Sequence, residues 1–148
     1  MKPVKTQIDL CIKGSQLHVE TISNMLGILP TSGFNPNEAY LGKVKIGSSI
    51  VDVERNRPSY GVWHFSTENL VDSKNLDDHA AFLLEKLERS RPAIESILQS
   101  GHYEVPIVIW YVGPAGFDIS SRLLRPLTEI SSRISVTCFE EAEEQANE

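Results

Sequence analysis

Apolar and polar side chains alternate without a break from Val4 to Lys13. Val4, Thr6, Ile8, Leu10 and Ile12 fall on one side, and Lys5, Gln7, Asp9, Cys11 and Lys13 on the other. A period of two with one polar side predicts a half-buried strand of an antiparallel sheet. Gly14 breaks that pattern, and Val19, Ile22, Met25 and Leu26 then recur at helical spacing within Leu17–Leu26. Gly27 suits the left-handed residue that closes a helix, and Pro30 stops any continuation. Tyr60–Thr67 alternates again, with Trp63 and Phe65 on one side and Val62 and His64 on the other.

Asn75 is placed to cap a helix whose first turn holds Asp77 and Asp78, charges that complement the helix dipole. Ala80, Leu83, Leu84 and Leu87 form its apolar stripe, which stays in phase through Ile94, Ile97 and Leu98. Pro92 predicts a kink or two abutting helices, and Gly101 an end. Val105–Val112 is apolar on both sides, as a strand buried on both sides would be. After a turn at Gly113, Pro114 and Gly116, Ser120 opens a short helix with Leu123, Leu124, Leu127 and Ile130, in which Pro126 fits awkwardly. Arg133–Phe139 is the last strand, and Cys138 shares a side with Ile134 and Val136, so a buried thiol is expected there. Residues 31–59 are rich in Gly, Ser, Asn and Pro and predict a loop region, with room for short edge strands at Tyr40–Ile46 and Ile50–Glu54. The order of elements predicts an α+β fold: a single antiparallel or mixed sheet of about five strands with helices mainly on one face.

The length of 148 residues fits one domain. Residues 1–139 are expected to form it, and 140–148 to be a disordered acidic tail. That tail holds five Glu, whereas the other residues carry 15 acids against 14 bases. The near-neutral body excludes the basic footprint of a nucleic-acid binder. The longest apolar stretch, Val105–Val112, is far short of the ~20 residues that cross a bilayer. The start lacks the continuous apolar run of a signal peptide, and the expected location is cytoplasmic.

No chemical motif stands out. His18, His64, His79 and His102 are dispersed without HxH, HExxH or Cys–His spacing, so neither a metal nor a cofactor is expected. His64 reads as a partly buried strand residue, and His79 as a solvated residue of a helix start. Cys11 and Cys138 fall on opposite sides of their strands and cannot bridge. The glycines form no phosphate loop, and no GxSxG elbow occurs. One patch has binding character: Arg55, Arg57, Tyr60, Trp63 and His64, cations beside aromatics of the kind enriched at binding hot spots. The competing reading makes Trp63 a core residue.

Four segments occur in order: LGILPT at Leu26–Thr31, GVWHFST at Gly61–Thr67, the Asp/His-rich start of the long helix, and GFDIS at Gly116–Ser120. Together they resemble the bacterial domain-of-unknown-function 4279 family over roughly residues 6–140. The resemblance implies turn and core roles for Gly27, Pro30, Gly61, Trp63 and Phe117. It implies no catalytic activity. Relatives near toxin–immunity genes imply a toxin-neutralising role. The expectation is therefore a non-enzymatic protein-binding module, possessing no cofactor, with a toxin as candidate partner. Two alternatives remain: a small-molecule sensor or enzyme with a pocket between sheet and helices, and a homo-oligomerising module that exposes an apolar sheet face or strand edge. In the binding reading, ionisable groups do not converge.

Overall fold

The first strand, β1 (Lys5–Gly14), forms where the alternation begins, and it becomes the middle of the main sheet. This is a computed structural model, describing residues 5–113 and 116–139. Val4, Pro114 and residues 140–148 lie outside them. Along the chain follow α1 (Val19–Leu26), β2 (Ser32–Phe34), β3 (Ala39–Ile46), β4 (Ser49–Asn56) and β5 (Gly61–Ser66). Then come α2 (Leu76–Leu87), a 3₁₀ turn (Glu88–Ser90), α3 (Arg91–Ser100), β6 (Pro106–Val112), α4 (Ser121–Glu129) and β7 (Arg133–Phe139). Among the described residues, five strands build a mixed sheet in the order β2-β5-β1-β6-β7. Only β6 and β7 run parallel.

Register explains which side chains meet. Leu10 pairs across with Phe65 and Ile107, and Ile12 with Trp63, so these share one side of the sheet. That side enters a single apolar cluster with Ile22, Leu83, Ile97 and Leu127 of the four helices. Ile8, Leu10 and Ile12 are fully buried, each worth about 1.5–3 kcal/mol relative to exposure. Trp63 is fully buried as well, stacks on Phe65 at 6.4 Å, and donates from Nε1 to Ser23 Oγ at 3.1 Å.

The local signals act as their chemistry dictates. Gly27 closes α1 at φ +67°, with its N–H on Ser23 O. Asn75 Oδ1 accepts from Asp77 N at 3.1 Å. Pro92 does not kink one long helix. It sits in the first turn of α3, where its missing N–H costs nothing.

Two expectations are corrected. Cys138 is exposed, because β7 is an outer strand; Val136 beside it is 49% exposed too. Phase with apolar neighbours does not bring burial at a sheet edge. His79 is buried rather than solvated. Its Nε2 donates to Ser73 O at 2.7 Å, and its Nδ1 accepts from Thr67 Oγ1 at 2.6 Å, while Thr67 Oγ1 accepts from Ile8 N. The ring thus ties the start of α2 to β1.

The largest departure lies in residues 31–59. β3 and β4 are not short edge strands of the main sheet; each is eight residues long, and they pair only with each other. The turn is Gly47–Ser48, with Gly47 at φ +61° in the glycine-first pattern of tight hairpins. No residue of either strand is buried. This ribbon is an arm, closed at its base by Asn37 N to Pro58 O and Arg57 N to Glu38 O, both 2.8 Å. Among the described residues, no helix is long and apolar enough to cross a membrane.

Candidate functional site

The side of the sheet opposite the core carries the polar half of the β1 alternation. Cys11 pairs across with His64, and His64 with Ser32, so three neighbouring strands bring these side chains into one row. Asp9 lies diagonally beside it. Ser32 Oγ is 2.9 Å from His64 Nδ1, and His64 Nε2 is 3.4 Å from Asp9 Oδ2. With Nε2–H aimed at the carboxylate, Nδ1 remains as acceptor for the Ser32 hydroxyl. Gln7 Nε2 donates to Asp9 Oδ1 at 3.1 Å. The expectation that ionisable groups stay apart is therefore corrected: Asp9 and His64 meet, on the side of the sheet opposite the core. Sequence spacing gave no hint of this, since the contact depends on how β1 pairs with β5.

Burial raises the Asp9 pKa, but hydrogen bonds with His64 and Ser66, the His64 charge and Gln7 outweigh it, leaving the carboxyl below its ordinary range. A depressed folded-state pKa contributes stability above the unfolded value and loses it as pH falls through the folded one. Asp9→Asn should accordingly cost roughly 1–3 kcal/mol at pH 7. The gap between variant and parent should narrow in urea unfolding as pH drops below 4. Cys11 is an unpromising nucleophile: burial and Asp9 push its pKa up, and Lys13 only partly opposes them.

At one end of this side stands a cation–aromatic cluster. The Arg57 guanidinium lies 3.9 Å from the Tyr40 ring centroid and 4.9 Å from that of Phe34. Lys13 Nζ lies 4.2 Å over Tyr60, and Tyr60 leans on Phe34 at 6.2 Å. The five patch residues are therefore not one surface. Arg57 and Tyr60 belong to the cluster, and Arg55 sits on β4 opposite Tyr40. His64 lies in the polar row, and Trp63 is turned into the core, out of reach of any partner. Sequence reading missed Phe34, Tyr40 and Lys13, which only the folded base of the arm brings to Arg57 and Tyr60.

The arm itself is two-sided. Val44 faces Val51, Gly42 faces Val53, Ile46 faces Ser49 and Tyr40 faces Arg55, giving one largely apolar side. Lys43 opposite Asp52, Leu41 opposite Glu54 and Lys45 opposite Ile50 give the other. On the apolar side Ile46 is 62% exposed, Val51 42% and Val53 37%.

Elsewhere, a cleft of about 530 Å³ is lined by Ser73, Lys74, Asn75, Leu76, Gly116, Phe117 and Asp118. Beside it Asp77 accepts hydrogen bonds from the Ser120 hydroxyl and, at 2.8 Å, from Ser120 N. These bonds hold the Asp77 carboxyl below its ordinary range and join the starts of α2 and α4. Among the described residues no three His, Cys, Asp or Glu are grouped to hold a metal.

The family model described as a domain of unknown function (DUF4279) matches residues 4–138. The chain belongs to that family. Neither the curated proteins nor the solved structures hold a match. The match spans the sheet, the helices and the arm alike, and DUF4279 membership assigns none of them an activity.

Proposed function

We propose that this DUF4279 domain is a non-enzymatic protein-binding module whose contact surface is the apolar side of the β3–β4 arm together with the Arg57 cluster at its base. The exposed apolar side of the arm carries this reading. A lone two-stranded ribbon is marginal in water, and setting Val44, Ile46, Val51 and Val53 on one side is unfavourable unless a partner covers them. The polar row and the Arg57 cluster lie on the side of the sheet opposite the apolar cluster. An arginine held over two aromatic rings is already ordered, which lowers the entropic cost of using it as an anchor. The role fits an immunity protein, which neutralises a toxin by occluding a surface and needs no catalytic group; a bacterial, cytoplasmic setting belongs to that same reading.

Affinity capture with the full chain from its source cells tests this. Arg57→Ala should weaken capture by tenfold or more, as loss of a hot-spot arginine does, and Val51→Asp with Val53→Asp should abolish it. Capture that is indifferent to all three substitutions would contradict the proposal.

The Asp9–His64–Ser32 chain favours a second reading, an enzyme in which His64 takes the Ser32 proton as the hydroxyl attacks an acyl carbon, the acyl–leaving-group bond breaks, and His64 passes the proton to the departing alcohol or amine, leaving an acyl-Ser32 ester for water to hydrolyse. A fluorophosphonate probe then labels Ser32, and His64→Gln abolishes the label. An unlabelled wild type removes that reading.

A further inference from the structure

We infer that the partner of the arm is a protein whose contact patch is acidic around an apolar centre. The inference rests on the arm and its base being a contact surface, and it names the chemistry of the occupant. The placement of charge leads to it. The apolar side of the arm carries one charged residue, Arg55, which lies back over Gly42: a Cβ added there would meet Arg55 Cδ at 3.2 Å. Arg57 continues the same side at the base, over the Tyr40 ring, and Lys13 follows over Tyr60. The acids of the arm are turned the other way, Asp52 opposite Lys43 and Glu54 opposite Leu41.

These three cations have no counter-charge of their own. Among the described residues the ion pairs are Lys5–Glu68, His64–Asp9 and Arg91–Glu129, and none involves Arg55, Arg57 or Lys13. Two acids stand near. Glu38, at the base, accepts from Asn35 N at 3.1 Å, and Glu104 shares a cleft with Lys13 and Tyr60 without pairing with either cation. Acids outnumber bases in this chain by 20 to 14. Cations left unpaired on one surface of such a chain, two of them held on aromatic rings, are placed to meet carboxylates from outside, and an arginine takes a carboxylate with two parallel bonds.

The same surface selects a protein over a nucleic acid. Single strands need free ring faces for their bases and a track of cations for their phosphates. Here Arg57 occupies faces of Tyr40 and Phe34, Lys13 occupies one of Tyr60, and exposed Ile46, Val51 and Val53 lie where phosphates would run. A protein patch with Asp or Glu around an apolar centre satisfies both halves: the apolar centres bury each other, and the carboxylates reach the cations at the rim. Charges so placed act chiefly on the association rate and on which partner is accepted.

Fluorescence anisotropy on the full chain tests this with two labelled peptides of about twelve residues, in which Val alternates with Glu or with Gln. A chain of net charge −6 should by its overall field disfavour the Glu peptide. The inference expects the opposite: at about 10 mM salt the Glu peptide binds about tenfold more tightly than the Gln peptide, and the difference shrinks at about 150 mM, where screening acts within ~8 Å. Arg55→Gln with Arg57→Gln should remove the preference with an unchanged circular dichroism spectrum, and Lys86→Gln, on α2, should keep it. Val53→Asp should weaken the Glu peptide about tenfold more than Val53→Lys does; a mere loss of folding would move both alike. A Glu peptide that binds no better than the Gln peptide, or a preference that survives the double glutamine variant, overturns the acidic partner. So does a labelled single-stranded oligonucleotide that binds more tightly than the Glu peptide through the same two arginines. If the preference fails while Val51→Asp with Val53→Asp still abolishes capture from source cells, the contact surface stands without an acidic partner. If capture also survives that substitution, both readings fall.

Discussion

Replacing Gly61 by alanine should destabilise the fold by about 3 kcal/mol or more, the upper part of what overpacking costs. β5 begins pressed against the loop after β1: an added Cβ would stand 2.1 Å from the Leu17 carbonyl oxygen and 3.0 Å from its carbon. Both are main-chain atoms, so no side-chain rotation relieves the clash, and either β5 or the turn leading to α1 must shift. Leu17 is itself fully buried and bonded through its N–H to Gly14 O, so the shift would tear at the core. Gly42→Ala is the matched control. There the nearest atoms belong to the flexible Arg55 side chain, at 3.2 Å, and the cost should stay within about 0.5 kcal/mol. Urea unfolding of both variants beside the wild type measures the difference.

Trp63→Ala should cost about 3–5 kcal/mol, the range for removing a buried aromatic. The indole fills the space between β5 and α1, stacks on Phe65, and satisfies Ser23 Oγ; truncation opens a cavity and removes that bond together. Trp63→Phe separates the terms, keeping much of the volume while losing the bond, and should cost about half as much. Both losses should show in the unfolding midpoint, and neither variant should change partner capture once corrected for the folded fraction. This separation matters because Trp63 shares a segment with residues of the proposed contact surface, although it faces the opposite way.

How far the sequence could be read follows from where a core sets the pattern. β1 was legible because burying one side forces a period of two, and the same rule put Trp63 and His64 on opposite sides of β5. The break at Pro92 was legible because a proline has only a few tolerated places in a helix. Cys138 was misread since an outer strand keeps the alternation without the burial. His79 was misread because its neighbours Asp77 and Asp78 suggested solvent, while its partners, Thr67 and Ser73, precede the helix. The two strands of the arm were anticipated at Tyr40–Ile46 and Ile50–Glu54, where KVKI and VDVE alternate on either side of the Gly47–Ser48 turn, but as short edge strands in a loop-rich region and not as a ribbon of their own. A free ribbon has no core to strengthen such a pattern, and turn formers outweigh it. The meeting of Asp9, His64 and Ser32 was beyond reach, since it depends on the pairing of three strands distant in sequence.

The central claim is that the arm serves association and contributes little to folding. Excising residues 41–54 and joining Tyr40 to Arg55 through Asn-Gly tests it, because the hydrogen bonds of Asn37 with Pro58 and of Arg57 with Glu38 already close the base. The expected product unfolds within a few degrees of the wild-type midpoint and captures no protein partner from the source cells. A product that fails to fold, or that captures a partner as the intact chain does, would contradict the account.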